Sequence, residues 1–136
     1  MSLTTADAQI FLEQNFAEWV RALNLTFTAI GDTGVTVEMP IDHHLNRVGN
    51  ILSGQALAAL ADTAMVFACA AHFGRMVPVA TTNLDTRFLR PGVGDFVRSQ
   101  ARVVRASKAM IFAESDMYSE PSGALIAQAT ATFYIP

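Results

Sequence analysis

The chain has 136 residues, of which 51% are hydrophobic and 15% charged, with a formal net charge of −3. This length allows a single domain over residues 1–136, and the negative charge argues against nucleic-acid binding. So few charged residues in a small domain indicate that self-association covers further apolar surface. We expect a cytoplasmic protein, because the single cysteine excludes a disulfide framework and the first residues lack a signal-peptide pattern.

The first part of the chain predicts a helix followed by a hairpin. A cap at Thr4 or Thr5 predicts a helix over Ala6–Ala22. Its apolar face is expected to contain Ile10, Phe11, Phe16, Trp19, Val20 and Leu23. Alternation of apolar and polar residues in Leu25–Ile30 and Val35–Met39 then predicts two paired strands.

A helix over residues 55–73 is predicted after a polar, irregular segment, with Ser53 as its N-cap. It is long enough to cross a membrane, but its alanine content and its interruption by Asp62 and His72 favour a buried core helix. Asp62 has no charged neighbour one turn away. Burying an isolated carboxylate is costly, so Asp62 either meets a partner from elsewhere in the fold or serves chemistry.

Four long strands are predicted after Gly74. They cover Val79–Leu89, Phe96–Ala106, Ala109–Tyr118 and Ala124–Ile135. Because their connections are short, we expect consecutive strands to be antiparallel neighbours. A helix without a polar face must be wrapped by a sheet. The predicted fold is therefore an α+β domain with a curved antiparallel sheet around one central helix and an additional N-terminal helix.

The sequence around the start of the central helix resembles the signature of the phenylacetic-acid-pathway (PaaI-type) acyl-CoA thioesterases of the hotdog-fold superfamily. In that family a His-Gly-Gly begins the helix and an Asp follows eight residues after the first Gly. Gly54 and Asp62 keep this spacing, whereas Ser53 and Gln55 stand in place of the His and the second Gly. The run Val79–Pro91 is similar to the family's next strand.

The resemblance implies a hotdog fold that hydrolyses a small or aromatic acyl-CoA to the free acid and CoA. It implies no cofactor other than the CoA moiety of the substrate, and a homodimer that pairs again into a homotetramer. The site would lie at the dimer interface, with the helix start from one subunit and Asp62 from the other. Asp62 would activate water or attack directly, the Gly54 amide beside Ser53 would polarise the carbonyl, and Asn46 and Thr81 would position water.

Each candidate also has a structural interpretation. Asp62 could be satisfied by backbone groups, Asn46 could be a turn residue, and Thr81 could be an ordinary strand threonine. Ser53 is an N-cap at least, and no glycine-flanked elbow indicates that it is a nucleophile.

Arginine accounts for most of the basic residues between Arg75 and Lys108. This stretch is either a solvated sheet face or a docking strip for a phosphorylated ligand. In the second case we expect the CoA phosphates at Arg87, Arg90 and Arg105.

Two other classes of function stay open. A non-catalytic acyl-CoA-binding protein would keep the fold without turnover, and a hydroxyacyl-thioester dehydratase would need a histidine paired with the acid. Adjacent His43 and His44 do not converge on a metal, so no zinc site is expected. A Cys69–His72 pair is disfavoured because a cysteine among alanines is ordinary core packing.

Overall fold

The computed structural model describes residues 2–136, which form an antiparallel sheet around a central helix. The helices are α1 (Thr5–Asn15), α2 (Glu18–Arg21) and α3 (Gly54–Phe73). The strands are β1 (Thr26–Gly31), β2 (Gly34–Pro40), β3 (Asn46–Arg47), β4 (Ile51–Leu52), β5 (Ala80–Phe88), β6 (Phe96–Ala106), β7 (Met110–Glu120) and β8 (Ala124–Tyr134). The main sheet has the order β1-β2-β6-β7-β8-β5, and β3 and β4 form a separate two-stranded ladder. The predicted α+β architecture, with one central helix inside a curved sheet, is confirmed.

Helix α3 fills the concave side of the sheet and has well-defined ends. The Ser53 Oγ accepts a hydrogen bond from the Ala56 N–H at 3.2 Å, so the predicted N-cap is confirmed. Gly74 ends the helix in the left-handed conformation at φ 74°, which glycine adopts without a side-chain penalty. By length and composition α3 could cross a bilayer, but 67% of its most apolar window is buried inside the fold. This burial is what a core helix requires.

The N-terminal helix is shorter than predicted. Thr4 caps α1 in a reciprocal capping box with Asp7, and the chain becomes extended at Phe16 before the four-residue α2. The single helix over Ala6–Ala22 was therefore wrong. The physical reason is that the extended backbone lets the Phe16 ring stack on the core ring of Phe67, at a centroid distance of 5.4 Å.

Only part of the expected apolar face of this region is buried. Ile10 is 52% exposed and Trp19 is 64% exposed, whereas Leu12 and Val20 lie in the core. The break between α1 and α2 changes the helical register, so Trp19 does not continue the buried face of α1. Ile10 lies before the break, on the side of α1 opposite the core.

The pairing of the long strands corrects a second expectation. Strands β6, β7 and β8 are consecutive antiparallel neighbours, but β5 pairs with β8 rather than with β6. Residues 89–95 cross three strand spacings, about 14 Å, which seven residues can span. The crossing runs past the start of α3, where the Leu52 N–H donates to the Gly92 carbonyl at 3.0 Å. A Cβ on Gly92 would lie 3.0 Å from the Leu52 Cβ, so this close approach favours glycine.

Candidate active site

Asp62 lies in the middle of α3, half-buried, on the side that faces β5. The Thr81 hydroxyl donates a hydrogen bond to the Asp62 Oδ1 at 2.9 Å. Burial raises the pKa of Asp62 above its ordinary value, and the hydrogen bond from Thr81 lowers it in part. The carboxyl group is thus fixed by one donor and keeps its remaining lone pairs for another partner. This arrangement suits a general base or a nucleophile.

A second group of candidates meets at the start of α3. The Ser53 N–H donates to the Leu45 carbonyl at 3.0 Å, and Asn46 is paired with Leu52 in the β3–β4 ladder. Together these contacts bring Asn46, Ser53 and Gly54 to one place. The first amides of the helix have no intrahelical carbonyl partner and carry the positive end of the helix dipole. They are suited to bind a developing oxyanion.

Asn46 has an orphan polar atom. Its side-chain Oδ1 is buried and has no hydrogen-bond partner within residues 2–136. Buried polar atoms are nearly always paired in native proteins, so an orphan of this kind points to a water, ligand or partner that completes it.

Phe88, which the sequence did not single out, lies beside the helix start. A Cβ on Gly54 would be only 3.0 Å from the Phe88 Cζ, so the ring packs against the glycine. On β8, the register partners of Thr81, Leu84, Thr86 and Phe88 are all buried, which places these four residues on the helix side of β5. Only a register shift between Thr81 and Asn83 brings Thr81 onto this face. The alternation of residues along β5 could have indicated that Phe88 faces the helix. The register shift that turns Thr81 to the same face was not predictable from this alternation.

The two groups of candidates are separated within one chain. Asp62 follows Gly54 by eight residues, which corresponds to about 12 Å along a helix. A single carbonyl group cannot contact both. The structure brings Asp62 together with Thr81, and Ser53 and Gly54 together with Asn46, but it does not bring the two groups together.

The three arginines that were predicted to bind the CoA phosphates are only partly brought together by the fold. Arg87 faces outward at the register of Gln128, and Arg90 follows β5 with its Nη1 3.5 Å from the Leu125 carbonyl. Arg105 lies on β6, three strands from β5, or about 14 Å across the sheet. Within residues 2–136 no carboxylate pairs with these three arginines, whereas Arg98 and Arg102 are engaged by acids of β7.

The cysteine and histidine of α3 do not form a reactive pair. Cys69 is fully buried, and burial raises the pKa of its thiol to about 12. A thiol of this kind is not ionised at neutral pH and behaves as core packing. His72 is exposed near the C-terminus of the helix, about 15 Å from Asp62 along its axis.

Comparison with known proteins decides the family. The family model described as "Thioesterase superfamily" matches residues 49–126, more than half of the chain. The chain belongs to the thioesterase superfamily. The match includes the start of α3, Asp62 and Thr81.

Individual relatives agree with this membership. The Thermoplasma acidophilum protein Ta0293, whose name proposes an esterase, is 25% identical over 86% of this chain and 87% of its own length. The conserved protein PA5202 of Pseudomonas aeruginosa is 26% identical with a TM-score of 0.81, over 90% of this chain and 96% of that one. Thioesterase HI1161 of Haemophilus influenzae has a TM-score of 0.88 over 98% and 91% of the two chains, and at 19% identity it supports the fold alone. Together the matches support a thioesterase or esterase function.

Proposed function

We propose that this protein is a PaaI-type acyl-CoA thioesterase that hydrolyses a small or aromatic acyl-CoA to the free acid and CoA. The observation that carries the proposal is the Asp62–Thr81 pair, in which a half-buried carboxyl on an otherwise apolar helix is held at 2.9 Å by a hydroxyl of an exposed strand. Perturbed carboxyl groups of this kind are enriched at active sites.

The chemistry follows from the groups at hand. As a base, Asp62 takes a proton from water while the water oxygen attacks the thioester carbonyl. The free amides at the start of α3, including that of Gly54, stabilise the oxyanion. Collapse of the tetrahedral intermediate breaks the C–S bond, and the proton returns from Asp62 to the departing sulfur. As a nucleophile, Asp62 would instead attack the carbonyl carbon and expel the CoA thiolate as the C–S bond breaks, which gives a mixed anhydride. Water then hydrolyses this anhydride to the free acid and the Asp62 carboxylate.

The separation of the two groups within one chain supports a homodimeric site. One subunit would supply Asn46, Ser53 and Gly54, and its partner would supply Asp62 and Thr81. Strand β5 supports this arrangement, because its outer edge is unpaired in the sheet and it exposes Leu84 and Phe88 on the helix side. An exposed edge strand presents unpaired backbone groups with which another chain can pair. Further pairing into a homotetramer and a cytoplasmic location remain predictions.

The test is release of free thiol from short-chain, long-chain and aromatic acyl-CoAs by the wild type, by Asp62→Asn and by the matched surface control Asp32→Asn. We expect Asp62→Asn to lower turnover at least about a hundredfold, or about 2.7 kcal/mol of activation free energy, and the control to match the wild type. An Asp62→Asn protein with wild-type turnover would exclude this mechanism.

Thermal unfolding separates a lost catalytic group from a lost fold. Burial raises the folded-state pKa of Asp62 above its unfolded value, so the wild type loses stability as pH rises through that interval. At pH 7 the asparagine avoids this cost, and its Tm should equal or exceed the wild-type Tm. At pH 3 the difference should disappear.

One rival function is favoured by a specific observation. Ser53 and Gln55 replace the His and the second Gly of the resembling family. A non-catalytic acyl-CoA-binding protein would bind CoA esters without releasing thiol from any of them, and the same panel therefore distinguishes the two. The dehydratase has no comparable support, because Thr81 rather than a histidine contacts Asp62.

A further inference from the structure

An apolar cavity of about 340 Å³ lies between the end of α1, helix α3 and the segment that leads into β5. It is lined by Phe11 and Phe16 at the end of α1, by Val66 of α3 and by the segment 76–79 that leads into β5. This cavity was not anticipated from the sequence, since its walls come from three separate parts of the chain.

Two residues of the cavity lining are close in sequence to the proposed catalytic pair. Val66 follows Asp62 by four residues on α3, which places their Cβ atoms about 5–6 Å apart on one face. Val79 precedes Thr81 by two residues at the start of β5, which places it on the same side of the chain. A thioester carbonyl at Asp62 would therefore have its acyl substituent near Val66 and Val79, two of the residues that line this cavity.

The aromatic wall is fixed by the core. Phe11 and Phe16 meet edge to face at 6.4 Å, and both rings contact the fully buried Phe67. Rings packed in this way cannot move without opening the core. The cavity thus has a preformed aromatic wall, while Met76, another lining residue, has a flexible side chain that adapts to different shapes.

Size and polarity define what the cavity accepts. An apolar protein cavity of about 150 Å³ can hold benzene, so this one has room for about twice that volume. Within residues 2–136 its lining contains no charged side chain. A carboxylate at the far end of an acyl chain would lose its hydration there without gaining a partner.

We propose that this cavity is the acyl-binding pocket and that it selects uncharged acyl groups of about the size of octanoyl. The proposal rests on the thioesterase function and narrows its substrate class. Residues Phe11 and Phe16 give the N-terminal helix a role in specificity that the sequence did not suggest. Each methylene buried in the pocket should improve kcat/KM about fourfold until the cavity is full.

The first experiment measures kcat/KM for acetyl-, butyryl-, hexanoyl-, octanoyl- and phenylacetyl-CoA. The ratio of octanoyl-CoA to acetyl-CoA should exceed about a hundred for the wild type. Val66→Phe, which fills the cavity, should lower this ratio at least about tenfold. The matched control is Val104→Phe, because Val104 is 60% exposed on the sheet, and it should leave the ratio unchanged. Met76→Trp fills the cavity from a different lining residue and serves if Val66→Phe does not fold.

A second comparison tests polarity with a matched pair of substrates. The eight-carbon acyl-CoA that carries a terminal carboxylate should be hydrolysed at least about a hundredfold less efficiently than octanoyl-CoA. Equal rates for the two, or an unchanged octanoyl-to-acetyl ratio in both filled variants, would overturn the pocket.

Binding to Asp62→Asn keeps this inference separate from the proposed function. Calorimetry with the non-hydrolysable thioethers octyl-CoA and ethyl-CoA should give at least about a tenfold preference for octyl, which a second Val66→Phe substitution removes. If this binding preference is found but the wild type releases no thiol, the pocket is retained and the thioesterase function is rejected. Turnover by the wild type without a chain-length preference would retain the thioesterase and reject the pocket. If neither turnover nor the preference is found, both the thioesterase and the pocket are rejected.

Discussion

Strands β7 and β5 lie on either side of β8 in the same sheet, yet their surroundings differ. Along β7 buried positions alternate with more exposed ones, as expected for a strand with a neighbour on each side and α3 over one face. Along β5 every residue is exposed except the half-buried Thr86. Strand β5 contacts α3 through Thr81 at Asp62 and Phe88 at Gly54. The comparison indicates that β7 completes the core, whereas β5 carries candidate active-site residues on an exposed edge of the sheet.

The largest expected effect is on the free energy of unfolding, which substitutions in β7 and in β5 should change differently. Met117 of β7 is fully buried, and Met117→Ala should lower the free energy of unfolding by about 2–5 kcal/mol at every protein concentration. Leu84 of β5 keeps 37% of its surface exposed in the single chain, so Leu84→Ala should cost less intrachain packing and add an effect on dimer association that depends on protein concentration. Urea unfolding at two protein concentrations, together with sedimentation, measures both. A Leu84→Ala effect that is independent of concentration would contradict a dimer built on β5.

A subunit-mixing experiment tests whether the edge of β5 completes the active site. Gly54→Val should lower activity by about a hundredfold, because the new side chain collides with Phe88 at the helix start. Asp62→Asn should lower activity to a similar extent, because it removes the catalytic carboxylate. If each site takes Gly54 from one subunit and Asp62 from the other, a mixed dimer contains one intact site.

Random pairing of equal amounts of the two variants yields half mixed dimers, so activity should recover to about a quarter of the wild-type value. Unfolding and refolding the two proteins together, compared with each refolded alone, provides the measurement. No recovery in refolded mixtures that contain mixed dimers would mean that the site is built within one chain.

Removing the hydroxyl that links β5 to α3 should have a smaller effect, visible in the pH profile. Thr81→Val deletes a donor that lowers the pKa of Asp62, so that pKa should rise further. A base works in its ionised form, and the acidic limb of kcat/KM should therefore move to higher pH, with a loss of up to about tenfold near neutrality. The matched control is Thr86→Val on the same face of β5. A uniform loss at all pH values would assign Thr81 to the positioning of water instead.

The difference between local and long-range contacts explains which features could be predicted from the sequence. Ser53 as a cap and α3 as a buried helix follow from local patterns, because their causes lie within a few residues. The partner of Asp62 comes from Thr81, nineteen residues away, through a register shift in β5. The pairing of β5 with β8 instead of β6 depends on how residues 89–95 cross the helix start. Long-range packing of this kind leaves no local signal, and the resemblance to a known family was what singled out Thr81.

Substitution of the arginines beside β5 should have the smallest effect, a change in KM. This change distinguishes two possible positions of the CoA phosphates. Arg87 and Arg90 lie three residues apart along the same edge as the proposed site, and Arg105 lies across three strands on β6. Exposed ion pairs contribute up to about 1 kcal/mol each, so the double variant Arg87→Ala, Arg90→Ala should raise KM for acyl-CoA about threefold to tenfold. The difference should shrink as salt is added, because salt screens exposed charges. Arg105→Ala should leave KM unchanged if the phosphates bind beside β5 of one chain. An equal rise in KM for Arg105→Ala would instead mean that the CoA crosses from the β5 edge of one subunit to the β6 surface of another.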